Sequence, residues 1–344
     1  MADLVPVAEV RAAARRLDGV AVRTPLLPVP ALTSANLLIK PESLQPTGAF
    51  KLRGAYNAIA ALGETAKPAG IVTHSSGNHG FAIAYAAARL GVPAAIVVPE
   101  TAPEVKTAAI ERAGAELIRV EPTLDARLAG CDKIAQERGY AVVPPFDHPL
   151  VIAGQGTIGL EIAEDLRARP PGAVLVPVSG GGLISGIAVA VKAAFPETRV
   201  IGVEPELAAD ARESLKTGTR VRWASGDVAR TRADALRVEQ VGELTFAHMR
   251  ELVSDIVTVT EDEITGAIRR LARQARLVAE PGGAVAVAAA LNRTAGELGV
   301  PRDDESPVVA VLSGGNIDPA LLTEILGSSR DLNASAGRSE SYTG

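Results

Sequence analysis

Short apolar runs alternate with longer stretches of helical periodicity along most of this chain. Residues 4–18 place Val10, Ala14 and Leu17 on one face of a helix. Thr24-Pro-Leu-Leu-Pro28 follows as an extended segment. The apolar runs at 37–40, 70–73, 94–98, 116–120 and 141–143 predict strands, and residues 52–62, 81–90, 103–113 and 124–138 predict helices between them. Pro144-Pro-Phe-Asp-His-Pro149 breaks the alternation and reads as a return crossing between two lobes. The pattern then resumes with a helix over 153–168, strands at 173–178 and 199–203, and a helix up to Phe195 between them. Residues 205–247 read as irregular. A strand at 256–259, helices over 261–276 and 282–291, and a strand at 308–312 complete the chain. Such alternation predicts an α/β fold with two open, mostly parallel sheets in two lobes. Residues 1–68 and 150–327 form the expected large domain and 69–149 the small one. The Ser- and Gly-rich stretch 328–344 reads as a disordered tail.

Composition narrows the function classes. Of 344 residues, 47% are apolar and 22% charged, enough for a large core. Net charge is −5 and aromatics are 3%, so phosphate-backbone capture and base stacking are not expected, and nucleic acid is excluded as a partner. The longest apolar run, 282–291, is about half a membrane span, and the N-terminus carries charges where a secretory signal needs an apolar core. One cysteine, Cys131, permits no internal disulfide and reads as structural. These features favour a soluble, cytoplasmic protein.

The chemistry-bearing residues fall where predicted strands end, which is where open α/β sheets bind ligands. Lys51 follows the breakers Pro41, Pro46 and Gly48 and stands near the start of a helix, between Phe50 and Leu52. A lysine there, if partly buried, is an amine nucleophile of lowered pKa. Ser179-Gly-Gly-Gly182 joins a strand to a helix and suits a phosphate. It lacks the nucleotide and dinucleotide signatures, which argues for a phosphate on a smaller molecule. Ser75-Ser-Gly-Asn-His79 is either a carboxylate site or a capped helix start. Ser313-Gly-Gly-Asn316 supplies a hydroxyl able to meet a ring nitrogen, or is a plain turn. Glu204 and Asp210 lie six residues apart after a strand. They suit magnesium (Mg) or calcium (Ca), although on spacing alone a solvated acidic loop is the simpler reading.

Taken together these stretches, with Pro46-Thr-Gly-Ala-Phe-Lys-Leu-Arg-Gly54, Val151-Ile-Ala-Gly-Gln-Gly-Thr157 and Val259-Thr-Glu-Asp-Glu263, resemble the fold-type II pyridoxal-phosphate enzymes. Within them the likeness is to the serine/threonine dehydratase (ammonia-lyase) and serine racemase group, and it runs in order over nearly the whole chain. The resemblance implies pyridoxal 5'-phosphate bound between the lobes, in the large domain, with substrate on the small one. It makes Lys51 the Schiff-base lysine and the base on one face of the substrate. Phe50 would pack on the cofactor ring, Asn78 bond its hydroxyl, Ser179, Gly180, Gly181, Gly182 and Leu183 hold its phosphate, and Ser313 face its nitrogen. Ser75, Asn78, His79 and Arg127 would hold the substrate carboxylate, His79 through its backbone. Glu204, the Ala208 carbonyl and Asp210 match the group's divalent-cation site. Ser76 stands where racemases of the group carry the acid of the opposite face, and dedicated threonine dehydratases often have alanine. Phe146 and its neighbours look more like the dehydratase branch. Ala235 stands where relatives usually have glycine, and its extra methyl would lie near the cofactor and bear on pocket size and substrate. The implied activity is L-threonine/L-serine dehydration, with serine racemisation or 3-hydroxyaspartate dehydration as alternatives on the same site, and a homodimer as the form of the enzyme. A non-catalytic phosphate-binding module is the reading from a different class.

Overall fold

The computed structural model describes residues 3–33, 36–65, 68–102, 104–300 and 306–328. The chain opens with helix α1 (Val7–Arg16) and strands β1 (Leu27–Pro28) and β2 (Leu37–Pro41). Helix α2 (Lys51–Thr65) then leads into β3 (Ile71–His74), α3 (Asn78–Leu90), β4 (Ala94–Pro99), α4 (Glu104–Arg112), β5 (Glu116–Val120), α5 (Leu124–Arg138) and β6 (Ala141–Val142). The second half runs α6 (Pro149–Asp165), β7 (Ala173–Pro177), α7 (Gly182–Ala194), β8 (Arg199–Pro205), α8 (Asp210–Thr217), α9 (Ser225–Val228) and α10 (Glu243–Leu252). It closes with β9 (Asp255–Val259), α11 (Glu261–Arg270), α12 (Pro281–Asn292), β10 (Val308–Leu312) and α13 (Pro319–Gly327).

The strands form two sheets. One has six strands in the order β1-β2-β10-β7-β8-β9, and the other four in the order β5-β4-β3-β6. Every pairing is parallel except β1 with β2. β10 lies centrally, with Val308 opposite Leu37 on one side and Ala173 on the other. Strands buried on both faces need no polar alternation, which is why Val-Leu-Val and Val-Ala-Val runs sit here. Helix α12 is apolar all round because it is buried against β10, β7 and β8. Helices of mixed character carry explicit caps. Thr123 Oγ1 accepts from the Ala126 N–H at the start of α5, and Thr260 and Glu263 close a reciprocal box at the start of α11.

The α/β architecture with two mostly parallel sheets is the expected one, and the strand expectations hold to within two residues. Three differences have physical causes. Residues 205–247 are not wholly irregular. They hold α8, α9 and α10, and short α8 is mostly polar and buries only Asp210, Ala211 and Ser214, so it shows no apolar stripe. The helix expected over 261–276 ends at Arg270 and widens into a π-turn over Leu271–Ala275, closed by Arg276 at φ 61°. The two-residue strand β1 is too short to carry a period. The expected disordered tail, from residue 329 on, lies outside the described residues. Among the described residues no helix is long and apolar enough to cross a membrane.

Candidate active site

Lys51 is the first residue of α2. The loop that delivers it is tied to the loop after β10, where Phe50 N–H donates to the Ser313 carbonyl at 3.0 Å and Ala49 bridges Gly314. The Lys51 amine donates to the Pro145 carbonyl at 2.7 Å and stands 5.0 Å from the centre of the Phe50 ring. Burial lowers its pKa to about 8.

The loop after β3 brings Ser75, Ser76 and Asn78 to the same place. Ser75 and Ser76 are half-buried, and the Gly77 N–H donates to Ser75 Oγ at 3.3 Å. Asn78 opens α3. Its Nδ2 donates to Glu280 Oε1 at 2.6 Å, and its Oδ1 accepts from Asn316 Nδ2 at 2.8 Å. His79 is buried, with Nε2 3.1 Å from the Val143 carbonyl. Burial, and then the nearby charge of Lys51, push its imidazole down to about 3. The ring is therefore neutral and turned into the core. What His79 offers a ligand is its backbone at the helix start.

The loop Ser179–Gly182 enters α7 through Gly181 at φ 91°, a conformation that favours glycine. Thr245 Oγ1 donates to the Gly180 carbonyl at 2.7 Å and holds the turn. A methyl group on Gly180 would stand 2.3 Å from the Phe146 ring. These glycines are thus fixed by backbone geometry and by Phe146 as well as by any ligand. The first N–H groups of α7 have no acceptor within the helix and form an anion cradle.

All these loops line one cavity of about 780 Å³. Lys51, Ser75, Ser76, Asn78, His79, Gly180, Gly181, Gly182, Leu183 and Ser313 share it, with Phe50, Ser179 and Arg127. Arg127 reaches it from α5, its Nε donating to the Thr123 carbonyl at 3.2 Å. Burial depresses the Arg127 pKa, and Glu239 acts against that.

The sequence pattern of the family described as pyridoxal-phosphate dependent enzyme matches residues 17–314. The chain belongs to the pyridoxal-phosphate dependent enzyme family. It is 42% identical over 327 residues to the L-threonine ammonia-lyase of Thermotoga maritima, covering 94% of this chain and 78% of that one. It is 40% identical to the serine racemase of Arabidopsis thaliana, over 90% of this chain and 92% of that one. Among solved structures it superposes on a T.th. threonine deaminase with a TM-score of 0.84 and 43% identity, covering 91% of this chain and 99% of that one.

The cavity of this pyridoxal-phosphate dependent enzyme suits its cofactor. It offers a phosphate cradle at the start of α7, a desolvated amine on Lys51 and the buried Ser313 on the loop tied to Phe50. Two residues escaped the sequence reading. Glu280, 6% exposed, precedes Pro281 at the start of α12, where an acid reads as an ordinary helix cap. Asn316 belongs to a recognised motif but had no role until its contact with Asn78 was seen.

The acidic pair lies apart from these loops. Glu204 and Asp210 are both buried, so the solvated-loop reading does not hold. Glu204 accepts from the Ala211 and Arg212 N–H groups at 3.1 and 2.8 Å. Both oxygens of Asp210 lack a hydrogen-bond partner among the described residues, since its own N–H and that of Val241 are near but outside bonding geometry. Burial, and then the charge of Asp210, raise the Glu204 pKa well above the usual carboxylate range. Burial raises Asp210 to about 7. Among the described residues no group of three or more His, Cys, Asp or Glu side chains gathers around a common point.

Cys131 is buried on α5, and burial pushes its thiol up to about 12, consistent with a structural role.

Proposed function

We propose that this enzyme is an ammonia-lyase of L-threonine and L-serine, converting each to a 2-oxo acid and ammonia. The observation that carries the reading is the amine of Lys51, lowered to about 8 and facing the same cavity as two separate anion-binding loops. One loop suits a phosphate and the other an amino-acid carboxylate. Identity to threonine ammonia-lyases at about the same level over most of the chain supports it.

In this reading Lys51 holds the cofactor covalently, Phe50 packs on its ring, Ser179 to Leu183 hold its phosphate, and Ser313 faces its nitrogen. The Asn78 side chain would bond the cofactor's ring hydroxyl, and Ser75, the backbones of Asn78 and His79, and Arg127 would hold the substrate carboxylate. Pyridoxal 5'-phosphate bound there supplies an electron sink for the negative charge left at the α-carbon. Once the substrate's amine has replaced it, the freed Lys51 amine would take the α-proton, its lowered pKa leaving part of it neutral near neutral pH. The β-hydroxyl would leave as water with that proton returned by Lys51, and the released enamine would hydrolyse to the oxo acid and ammonia. The hydroxyl of Ser313 leaves the ring nitrogen without a full counter-charge, which favours elimination over wider charge delocalisation.

Serine racemisation is the second reading, favoured by the Ser76 hydroxyl in the cavity and by the Arabidopsis relative. The deciding experiment feeds L-threonine, L-serine and 3-hydroxyaspartate and measures oxo acid, ammonia and D-amino acid together. Oxo acid dominant from threonine and serine supports the lyase. D-serine in excess of pyruvate reverses the order, and no product from any of the three overturns both.

We further infer a divalent cation, magnesium or calcium, held by Glu204, the Ala208 carbonyl and Asp210. Two buried carboxylates, one with both oxygens unpartnered, fit such an ion. The two sheets support a division into a large domain, 1–68 with 150–327, and a small domain, 69–149. A homodimer is the form expected from the group resemblance and a cytoplasmic setting the one expected from composition, and light scattering in solution tests the dimer.

A further inference from the structure

Two motif glycines face side chains rather than the expected ligand. A methyl group on Gly314 would stand 2.1 Å from Glu280 Oε1, and one on Gly48 would stand 2.2 Å from Asn316 Oδ1. Both glycines make room for residues that meet at Asn78. Asn316 Nδ2 donates to the Thr47 carbonyl and to Asn78 Oδ1, each at 2.8 Å. Asn78 Nδ2 donates to Glu280 Oε1 at 2.6 Å. Asn78 follows β3 of the four-stranded sheet, whereas Asn316 follows β10 and Glu280 opens α12, which packs on the six-stranded sheet. Three side chains thus join the two halves of the molecule across the cavity wall.

The arrangement also removes a degeneracy. A side-chain amide can turn over, exchanging its oxygen and nitrogen at little cost when its surroundings do not discriminate. Here they do. A carboxylate only accepts, so Glu280 selects the Asn78 nitrogen. The Asn316 NH₂ only donates, so it selects the Asn78 oxygen. Asn78 then has one N–H left, and it is a donor that the cavity can use.

We propose that Asn316, Asn78 and Glu280 form a clasp that fixes which way the Asn78 amide faces the cofactor and holds the loop after β3 against the six-stranded sheet. Glu280 is a positioning residue that acts through Asn78. The remaining N–H of Asn78 serves as a donor to an anionic oxygen on the cofactor ring. This rests on the cofactor occupying the cavity as described above.

The test titrates cofactor-free protein with pyridoxal 5'-phosphate and follows absorption. Glu280→Ala is expected to raise Kd about tenfold to a hundredfold, the range for a charge-assisted hydrogen bond. It also shifts absorption toward the form with a protonated ring hydroxyl. Glu280→Gln, which still presents an oxygen to Asn78, restores affinity to within about threefold of wild type. In an Asn78→Ala background Glu280→Ala adds nothing further, as coupled residues require. Asn316→Asp is isosteric and sets an acceptor against Asn78 Oδ1. It leaves the Asn78 amide between two acceptors, so that neither orientation is satisfied on both sides, and it reproduces the spectral shift in part even if Glu280→Ala does not fold. Unchanged affinity and spectrum in Glu280→Ala or Asn316→Asp overturn the proposal, as do effects of Glu280→Ala and Asn78→Ala that simply multiply. Wild-type protein that takes up no cofactor overturns the underlying reading first, before any variant is compared.

Discussion

At Lys51, burial rather than a charged neighbour sets the chemistry. Its amine donates to a neutral carbonyl, that of Pro145, and desolvation alone accounts for a pKa near 8. The sign follows from linkage. The unfolded chain keeps this proton to about pH 10.4, so between pH 8 and that value the unfolded state binds more protons and cofactor-free stability rises with pH. The same shift governs reactivity. Uptake of pyridoxal phosphate by cofactor-free protein should accelerate with pH to a midpoint near 8, followed by absorbance in a stopped-flow experiment. Lys51→Ala should lose that uptake band and lower turnover about a thousandfold or more. Ser76 gives a second prediction at this scale. It lines the cavity beside Ser75, and in the proposed reading Lys51 rather than Ser76 takes the α-proton. Ser76→Ala should abolish D-serine formation and leave oxo-acid formation from L-serine within about threefold of wild type, since one neutral hydroxyl is removed from a half-exposed site. Equal loss of both products, measured in the same reaction, removes Ser76 from the opposite face.

Helix α2 carries Lys51, and two residues further along it Arg53 anchors the element. Arg53 is 1% exposed and donates to both oxygens of Glu42 at 2.7 and 2.9 Å. It also donates to Glu161 at 2.6 Å, and Glu161 in turn accepts from fully buried Lys40. Thr24 and Thr157 complete the hydrogen bonds. The group joins β2, α2 and α6 in one paired network that sets the height at which Lys51 enters the cavity. Breaking such a network leaves an unpaired buried charge. Arg53→Met should cost about 3–5 kcal/mol in denaturant unfolding and lower activity through loss of Lys51 placement. A loss below about 1 kcal/mol would show the network to be dispensable. None of this was legible in the sequence. A charged residue in a helical pattern reads as solvated face, and Lys40, Glu42, Arg53 and Glu161 meet only once the chain has folded. Elements buried on all sides, such as β10 and α12, could be read off directly because such burial leaves a continuous apolar run. The short helix α8 could not, since it is mostly polar and buries only Asp210, Ala211 and Ser214.

On the scale of the whole molecule, the two sheets place their strand-end loops around a single cavity, and this is why the site was legible as separate loops before any contact was known. Glycine, serine and lysine at strand ends announce themselves. Glu280 and the role of Asn316 did not, because their meaning lies in a contact between residues about 200 positions apart. The acidic pair is the intermediate case. Its residues could be named, yet their burial reversed the reading that spacing alone supported. That burial leads to the last prediction. Glu204 is balanced in part by the N–H groups at the start of α8, whereas Asp210 has no such partner. Burial raises the pKa of both carboxyls, so the ion-free pair holds protons near neutral pH, and a divalent cation that took their place would bind the folded state only. Chelation should therefore lower the stability of the whole enzyme, by about 2.7 kcal/mol relative to protein held at a hundred times the cation's Kd. The drop should be seen as a fall in melting temperature that magnesium or calcium restores. Glu204→Gln with Asp210→Asn removes the charges while keeping the shape, and this variant should melt at one temperature with or without the ion. If the wild-type melt ignores both chelator and cation, and calorimetry detects no binding, the pair is a protonated structural contact and the cation is struck from the enzyme.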